Sequence, residues 1–274
     1  MHDIENFQLA GGKMIFTQSW IDVKAKANLI LVHGYAEHSS RYTEMAEQLL
    51  SAGINVYTFD LTGHGKSSGR KAYINRFQDY VQDLNDVKSK VEMAPDLPTF
   101  IYGHSMGALV TISDIILHKS KYDGVIFSAP ALKIQEDLSP FLQKISGIMS
   151  IIAPKLKTVV LDSSMISRDP VEVDKYQRDP LNYRLGTYAR TGAEIIKTTK
   201  ICAELFHEFE LPVFVTHGSA DGLTDPSTSQ QFFNECSSED KTLKIYEGLY
   251  HEIMREPEKE EVIQDIIDWI VERS

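Results

Sequence analysis

The sequence predicts an α/β fold: a mostly parallel central sheet with helices on both faces. Three observations carry that expectation. Short apolar runs rich in β-branched and aromatic residues recur, as in Asn28–Val32, Pro98–Tyr102, Gly124–Ser128 and Leu211–Thr216. Segments with apolar residues at helical spacing alternate with them. The runs lack the in-and-out alternation of a one-sided sheet, so they suit strands buried on both faces. A length of 274 residues fits one large domain, or a domain with an insertion.

Taken in order, Lys13–Trp20 is the first strand, paired with a neighbour as a hairpin. Asn28–Val32 follows, then a helix over Arg41–Ala52 that stops at Gly53, a natural helix end. Ile54–Phe59 is a strand and Phe77–Met93 a long amphipathic helix. Pro98–Tyr102 is a strand, and Ala108–His118 has helical spacing. Gly124–Ser128, Leu211–Thr216 and Thr242–Tyr246 complete the strands, with helices over Asp225–Asn234 and Glu261–Val271. The segment from about 131 to 209 breaks the alternation. Leu138, Phe141, Leu142, Ile145, Ile148, Met149 and Ile152 form one helical stripe. Tyr188, Ile195, Cys202, Phe206 and Phe209 form another. Leu161–Leu185 between them reads as loop, with Asp169-Pro170 and Asp179-Pro180 as turn signals. The expected organisation is a core of residues 1–130 and 210–274 with residues 131–209 inserted over the end of the sheet.

Composition removes several function classes. The net charge is −11, which disfavours nucleic acid and charge-driven adsorption to anionic lipid. Two cysteines, Cys202 and Cys236, make no disulfide framework and point to a reducing, cytoplasmic compartment. The first residues show no signal-peptide pattern, and no apolar run is long enough to span a bilayer.

Chemistry concentrates at Gly103-His104-Ser105-Met106-Gly107, which fits G-x-S-x-G. With a strand before it and a helix after it, this pattern seats a serine nucleophile on a sharp turn whose neighbours must be small. A serine hydroxyl needs a base, and the base needs a carboxylate. Asp221 and His251 follow the serine in the right chain order, each just past a strand. Asp225, before Pro226, suits a helix N-cap better than the acid's role. His217 precedes Asp221 and is out of order as the base. The oxyanion donors are expected from the N–H groups of Met106 and Tyr35, the second in the loop after Asn28–Val32.

Two other motifs fail. Gly63–Ser67 lacks the first glycine of a P-loop, because Asp60 stands there, so Asp60 and Ser67 read as the hydrogen-bonding parts of a structural turn. The scattered histidines make no metal site. Neither metal nor cofactor is expected.

The stretches His33–His38, Asp60–Ser67, Gly103–Gly107, Gly218–Asp221 and Tyr250-His251 together resemble the monoglyceride lipases, in the lysophospholipase-like branch of the α/β-hydrolases. The resemblance runs from about Asn28 to the C-terminus and includes Leu161–Arg168 and Val173–Pro180. It implies an α/β-hydrolase fold with a helical cap, a Ser105–Asp221–His251 triad, and oxyanion donors at Tyr35 and Met106. It also implies a polar pocket of Glu37, Arg41, His104 and Tyr176 for the glycerol end, the alternative being a Glu37–Arg41 ion pair that only holds the loop after His33. The cap is then expected to touch membranes or lipid droplets peripherally. Ala108, Tyr35-Ala36 and Thr224 depart from the family pattern without touching the triad. The expected activity is hydrolysis of a single-chain lipid ester, most readily monoacylglycerol. Lysophospholipase or broad carboxylesterase activity is the enzymatic alternative, and a hydrolase-fold receptor the alternative from another class. Ser105 at the nucleophile position excludes a halide- or epoxide-processing enzyme, which would carry Asp there.

Overall fold

The computed structural model describes residues 1–9, 12–132 and 147–274. Its strands are β1 (His2–Gln8), β2 (Met14–Trp20), β3 (Ala27–Val32), β4 (Ile54–Phe59), β5 (Thr99–His104), β6 (Gly124–Ser128), β7 (Val213–Gly218) and β8 (Lys241–Tyr246). Its helices are α1 (Thr43–Ser51), α2 (Gln78–Lys90), α3 (Met106–His118), α4 (Pro170–Arg178), α5 (Ala189–Glu204), α6 (Ser227–Glu235) and α7 (Lys259–Val271). Residues 147–152 are also helical. The sheet order is β1-β2-β4-β3-β5-β6-β7-β8. β3 to β8 are parallel, and the β1–β2 hairpin joins the edge through antiparallel pairing of β2 with β4.

Every residue of β3, β4 and β6 is buried, including Asn28, Asn55 and Thr58, as suits strands covered on both faces. One face of the sheet packs against α2 and α3 through Tyr80, Val81, Leu109 and Ile112. The other packs against α1 and α7 through Met45, Leu49, Val262 and Ile266. Each such side chain contributes about 1.5–3 kcal/mol by leaving water.

The topology fixes where chemistry can sit. From β3 the chain crosses to β4 on one side, and β5 then pairs on the other side of β3. Loops leaving β3 and β5 diverge from that point, the crevice in which open parallel sheets bind ligands. Those loops carry Tyr35 and Ser105.

Two elements differ from expectation. β1 is an added strand: most of His2–Gln8 is exposed, so its sequence carries no apolar run to reveal it. α4 lies inside the stretch read as loop. Asp169-Pro170 is the start of that helix rather than a turn. The Asp169 side chain accepts from the Val171 N–H at 2.8 Å, and proline occupies the first turn, where its missing N–H costs nothing. The first residues of the earlier stripe, Leu138, Phe141, Leu142 and Ile145, lie outside the described residues.

The turn after β4 is structural, as its sequence suggests. Asp60 accepts from the N–H groups of Ser39 (2.8 Å) and Lys66 (2.7 Å). Ser67 Oγ donates to the Asp60 carbonyl at 2.5 Å and accepts from Phe16 N–H at 2.9 Å. No group of His, Cys, Asp and Glu able to hold a metal occurs among the described residues.

Candidate active site

Ser105 lies between the last residue of β5 and the first of α3, at φ 50° and ψ −116°. This is the left-handed half of backbone space, strained for a residue with a side chain. The flanking glycines allow it. A Cβ on Gly107 would stand 2.2 Å from the Val32 carbonyl oxygen, and one on Gly103 would stand 2.7 Å from the backbone of Ala108. The turn is tied to the neighbouring strand by Ser105 N–H donating to the Ser128 carbonyl at 3.0 Å.

Asp221 and His251 meet because their loops are stitched together. Ser219 N–H donates to the Tyr246 carbonyl at 2.8 Å, and Ala220 N–H to the Leu249 carbonyl at 3.0 Å. Gly218 permits this approach, since a Cβ there would meet the Leu249 oxygen at 2.2 Å. His251 Nδ1 then lies 2.7 Å from Asp221 Oδ2. Asp221 Oδ1 accepts from the N–H groups of Leu223 (2.7 Å) and Thr224 (3.0 Å). Asp225 caps instead, accepting from Ser227 N–H at 2.9 Å.

Burial alone would raise the Asp221 carboxyl. The charge of His251 and hydrogen bonds from His217 and His251 outweigh it, holding Asp221 well below the usual carboxylate range. Burial likewise opposes charge on His251, but the Asp221 carboxylate and its hydrogen bond prevail and raise the imidazole above 6.5. Burial, helped by His251, pushes His104 down to about 3, so it is neutral at physiological pH. Its ring lies 4.8 Å from that of His251.

Ser105 and His251 both line a cavity of about 730 Å³. Met149, Leu156, Val159, Leu161, Ile195 and Ile196 make its apolar wall. Tyr35 and Met106 line the same end as Ser105. Gly34 N–H is engaged by Glu37 Oε1 at 2.6 Å, whereas the N–H groups of Tyr35 and Met106 have no partner among the described residues.

A family described as serine aminopeptidase, S33, matches residues 23–258. The chain belongs to that serine hydrolase family. Its fold is the α/β-hydrolase fold. The chain is 31% identical to a monoacylglycerol lipase of Mycolicibacterium smegmatis over 268 residues, covering 97% of this chain and 96% of the relative. It is 32% identical to the human monoglyceride lipase, over 99% of this chain and 91% of the relative. The crystal structure of a Paleococcus ferrophilus monoacylglycerol lipase superposes with a TM-score of 0.86 at 29% identity, covering 95% of this chain and 99% of that one.

In this serine hydrolase, Glu37, His104 and Tyr176 line the cavity. Arg41 does not, and its side chain is taken up in ion pairs. Its guanidinium forms a buried fork onto Glu252, with both bonds at 2.6 Å, and reaches Glu37 Oε2 at 2.7 Å. The guanidinium stacks 4.8 Å over the Tyr176 ring, behind the cavity wall. Glu252, adjacent to His251, lines the cavity instead. Burial would raise Glu37, but Arg41 outweighs it and holds the carboxyl far below its ordinary range.

Sequence reading missed three groups near the reacting centre. Glu252 is the fork's other half. Thr224 Oγ1 donates to Asp221 Oδ2 at 2.8 Å. His217 Nε2 lies 2.9 Å from the same oxygen. The last had a signal, the His217-x-x-x-Asp221 spacing, which was weighed only as a rival base.

Proposed function

We propose that the protein hydrolyses monoacylglycerol to fatty acid and glycerol through an acyl-enzyme on Ser105. His251 takes the serine proton as Oγ attacks the ester carbonyl. The oxyanion is held by the N–H groups of Tyr35 and Met106. His251 then returns the proton to the departing glycerol oxygen, and later activates the water that frees the fatty acid. Asp221 stays ionised and fixes the proton of His251 on Nδ1. The observation that carries the reading is a single cavity, apolar along its body, that ends at Ser105 and His251. One acyl chain can fill it, each buried CH₂ contributing about 0.8 kcal/mol.

Tyr176, His104, Glu37 and Glu252 are among the polar residues that line that cavity. Most of Glu37 is committed to Gly34, Tyr42 and Arg41. Tyr176, neutral His104 and Glu252 are then the groups for free hydroxyls. A phosphocholine head is bulkier than glycerol and carries a charge of each sign.

The described part of residues 131–209 acts as a cap. Its rim is apolar and open to solvent: Ile151 and Ile152 are about three-quarters exposed, and Val159 and Val160 are 61% exposed each. These residues adjoin the cavity wall at Met149, Leu156 and Leu161, so a rim resting on a membrane or lipid droplet opens toward its substrate. With a net charge of −11, that contact is apolar rather than electrostatic. Among the described residues no helix is long and apolar enough to cross a membrane.

A substrate panel tests the activity. Monoacylglycerol is expected to exceed diacylglycerol and lysophosphatidylcholine in kcat/KM by at least about tenfold, roughly 1.4 kcal/mol in transition-state binding. Ser105→Ala should remove about a millionfold of kcat and all labelling by a fluorophosphonate probe. Faster turnover of lysophosphatidylcholine would reassign the enzyme as a lysophospholipase. Preferred turnover of aminoacyl anilides would reassign it to the peptidase chemistry that the family's description names.

A further inference from the structure

Asp221 Oδ2 is a crowded atom. His251 Nδ1 reaches it at 2.7 Å, Thr224 Oγ1 at 2.8 Å and His217 Nε2 at 2.9 Å. His217 is fully buried and does not line the cavity among the described residues, so it stands behind the reacting groups. Its other nitrogen, Nδ1, is 2.8 Å from the hydroxyl of Ser229, itself fully buried at the start of α6. These contacts fix the tautomer. An ionised carboxylate can only accept, so His217 Nε2 carries the proton. Nδ1 then accepts, and the Ser229 hydroxyl donates to it. The bonds converge on the carboxylate: Ser229 donates to His217, and His217 and His251 both donate to Asp221 Oδ2.

We propose that His217 is a positioning residue: its Nε2–H donates to Asp221 and thereby tempers the carboxylate that sets the basicity of His251. The inference rests on the proposed triad and deepens it. The physical argument is charge sharing. A hydrogen bond from His217 draws electron density from Oδ2, leaving less for the bond to His251 Nδ1. His251 is therefore less basic than a singly partnered histidine–aspartate pair would make it. The other groups facing His251 do not replace this control. Glu252 and Glu37 act on it with the same sign as Asp221, and both are paired with Arg41. His104 is neutral and acts by contact. Around His217, Asp221, Thr224 and Ser229 are the polar partners among the described residues.

The test compares kcat/KM against pH for a soluble nitrophenyl ester in the wild type, His217→Gln and His217→Leu. Glutamine can place its amide N–H where Nε2 stands, whereas leucine cannot donate. His217→Leu should move the acid limb up by about half a pH unit, because His251 becomes more basic. It should lower kcat about tenfold with KM within about twofold, since substrate is not touched. His217→Gln should keep the wild-type limb and kcat within about threefold. Thermal melting of each variant separates lost folding from lost tuning. An unmoved limb in folded His217→Leu overturns the inference. So does an equal shift in His217→Gln and His217→Leu, because donation is then not the cause. If Ser105→Ala keeps its activity, the triad itself is wrong; if it is inactive and the His217 variants behave as wild type, only the role of His217 is wrong.

Discussion

Asp221→Asn separates the carboxylate's shape from its charge, and the structure says which way the new amide turns. Its oxygen and nitrogen must occupy the two carboxylate oxygen sites. The Oδ1 site faces the N–H groups of Leu223 and Thr224, at 2.7 and 3.0 Å. Backbone N–H groups can only donate, so the amide oxygen belongs there. The Oδ2 site faces His251, His217 and the Thr224 hydroxyl. Each of these can reverse its role, the imidazoles by changing tautomer and the hydroxyl by rotating. The amide NH₂ therefore turns to the Oδ2 site and donates to His251 Nδ1. That moves the imidazole's proton to Nε2, the nitrogen that must accept from Ser105. The expected cost is about ten-thousandfold in kcat, roughly 5 kcal/mol. The cost in stability should be small, because no donor is left opposed to another; a fall of about 1 kcal/mol, or roughly 2–4 °C in a chain of this size, is the expected limit. The pH profile gives an independent reading. Neutral His251 is the reactive form, and Asp221 raises its pKa above 6.5, so wild-type activity falls as pH drops through that raised value. Without the charge, burial dominates, and the residual activity should keep its acid limb to lower pH. This is opposite in sign to the shift expected for His217→Leu. Hydrolysis of a nitrophenyl ester from about pH 5 to pH 9, with a melting curve, measures all three quantities. A loss below about a hundredfold, or an acid limb that stays or rises, would refute the tautomer argument.

Arg41→Ala should destabilise the protein by about 3–5 kcal/mol, read in denaturant melts, because it leaves Glu37 and Glu252 buried without their cation; Arg41→Lys should recover little of this, lacking the fork. Gly107→Ala should cost about 3 kcal/mol or more, since its Cβ would meet main-chain oxygens of Val32 and His33 that cannot move aside, and soluble yield with a melting curve reports it. Ile148→Glu should weaken co-sedimentation with neutral vesicles, as Ile148 is half exposed on the helical part of the rim; binding that instead collapses with added salt would contradict an apolar contact.

The sheet was legible because its strands are buried on both faces. β6 over Gly124–Ser128 has the same bounds in sequence and structure, since an uninterrupted apolar run between turn residues has no other way to satisfy itself. The glycines of the nucleophile turn were legible for a related reason: the positions that fit G-x-S-x-G are those where a Cβ would strike backbone. β1 was not legible. His2–Gln8 adds to the edge through backbone pairing, which leaves no mark on side-chain pattern. α4 was obscured by two Asp-Pro pairs, since the same dipeptide opens a helix at Asp169 and ends one at Asp179. The fork of Arg41 onto Glu252 was not legible, because a charge's partner is a tertiary fact. Nothing in the sequence ties position 41 to Glu252, more than two hundred residues away.

The same distant pairing explains how the segment after the cap's rim serves the reacting centre. Glu252 N–H donates to the Ile166 carbonyl at 2.7 Å, and Ser167 Oγ to the Arg255 carbonyl at 3.0 Å. Arg168 N–H and Nε both reach the buried Glu256, each at 3.1 Å, and Glu256 also accepts from Tyr250 N–H at 2.7 Å. Met165 fills the space that the missing Cβ of Gly222 leaves beside Asp221. Residues 165–168 thus touch the loops of both the acid and the base. α4 continues the tie through Glu172 to Arg255 at 2.7 Å, and Tyr176 Oη donates to the Ala36 carbonyl in the oxyanion loop at 3.3 Å. A lid that swung away as one body would break these bonds and loosen His251 with them. On the proposed reading a lipid chain enters past the apolar rim, where Ile148, Ile151, Ile152, Val159 and Val160 are exposed, while the bonds from Met165 to Tyr176 stay made. Among the described residues the insertion thus divides by chemistry into an apolar part, which the proposed function assigns to the substrate, and a hydrogen-bonded part that braces the loops of Asp221 and His251.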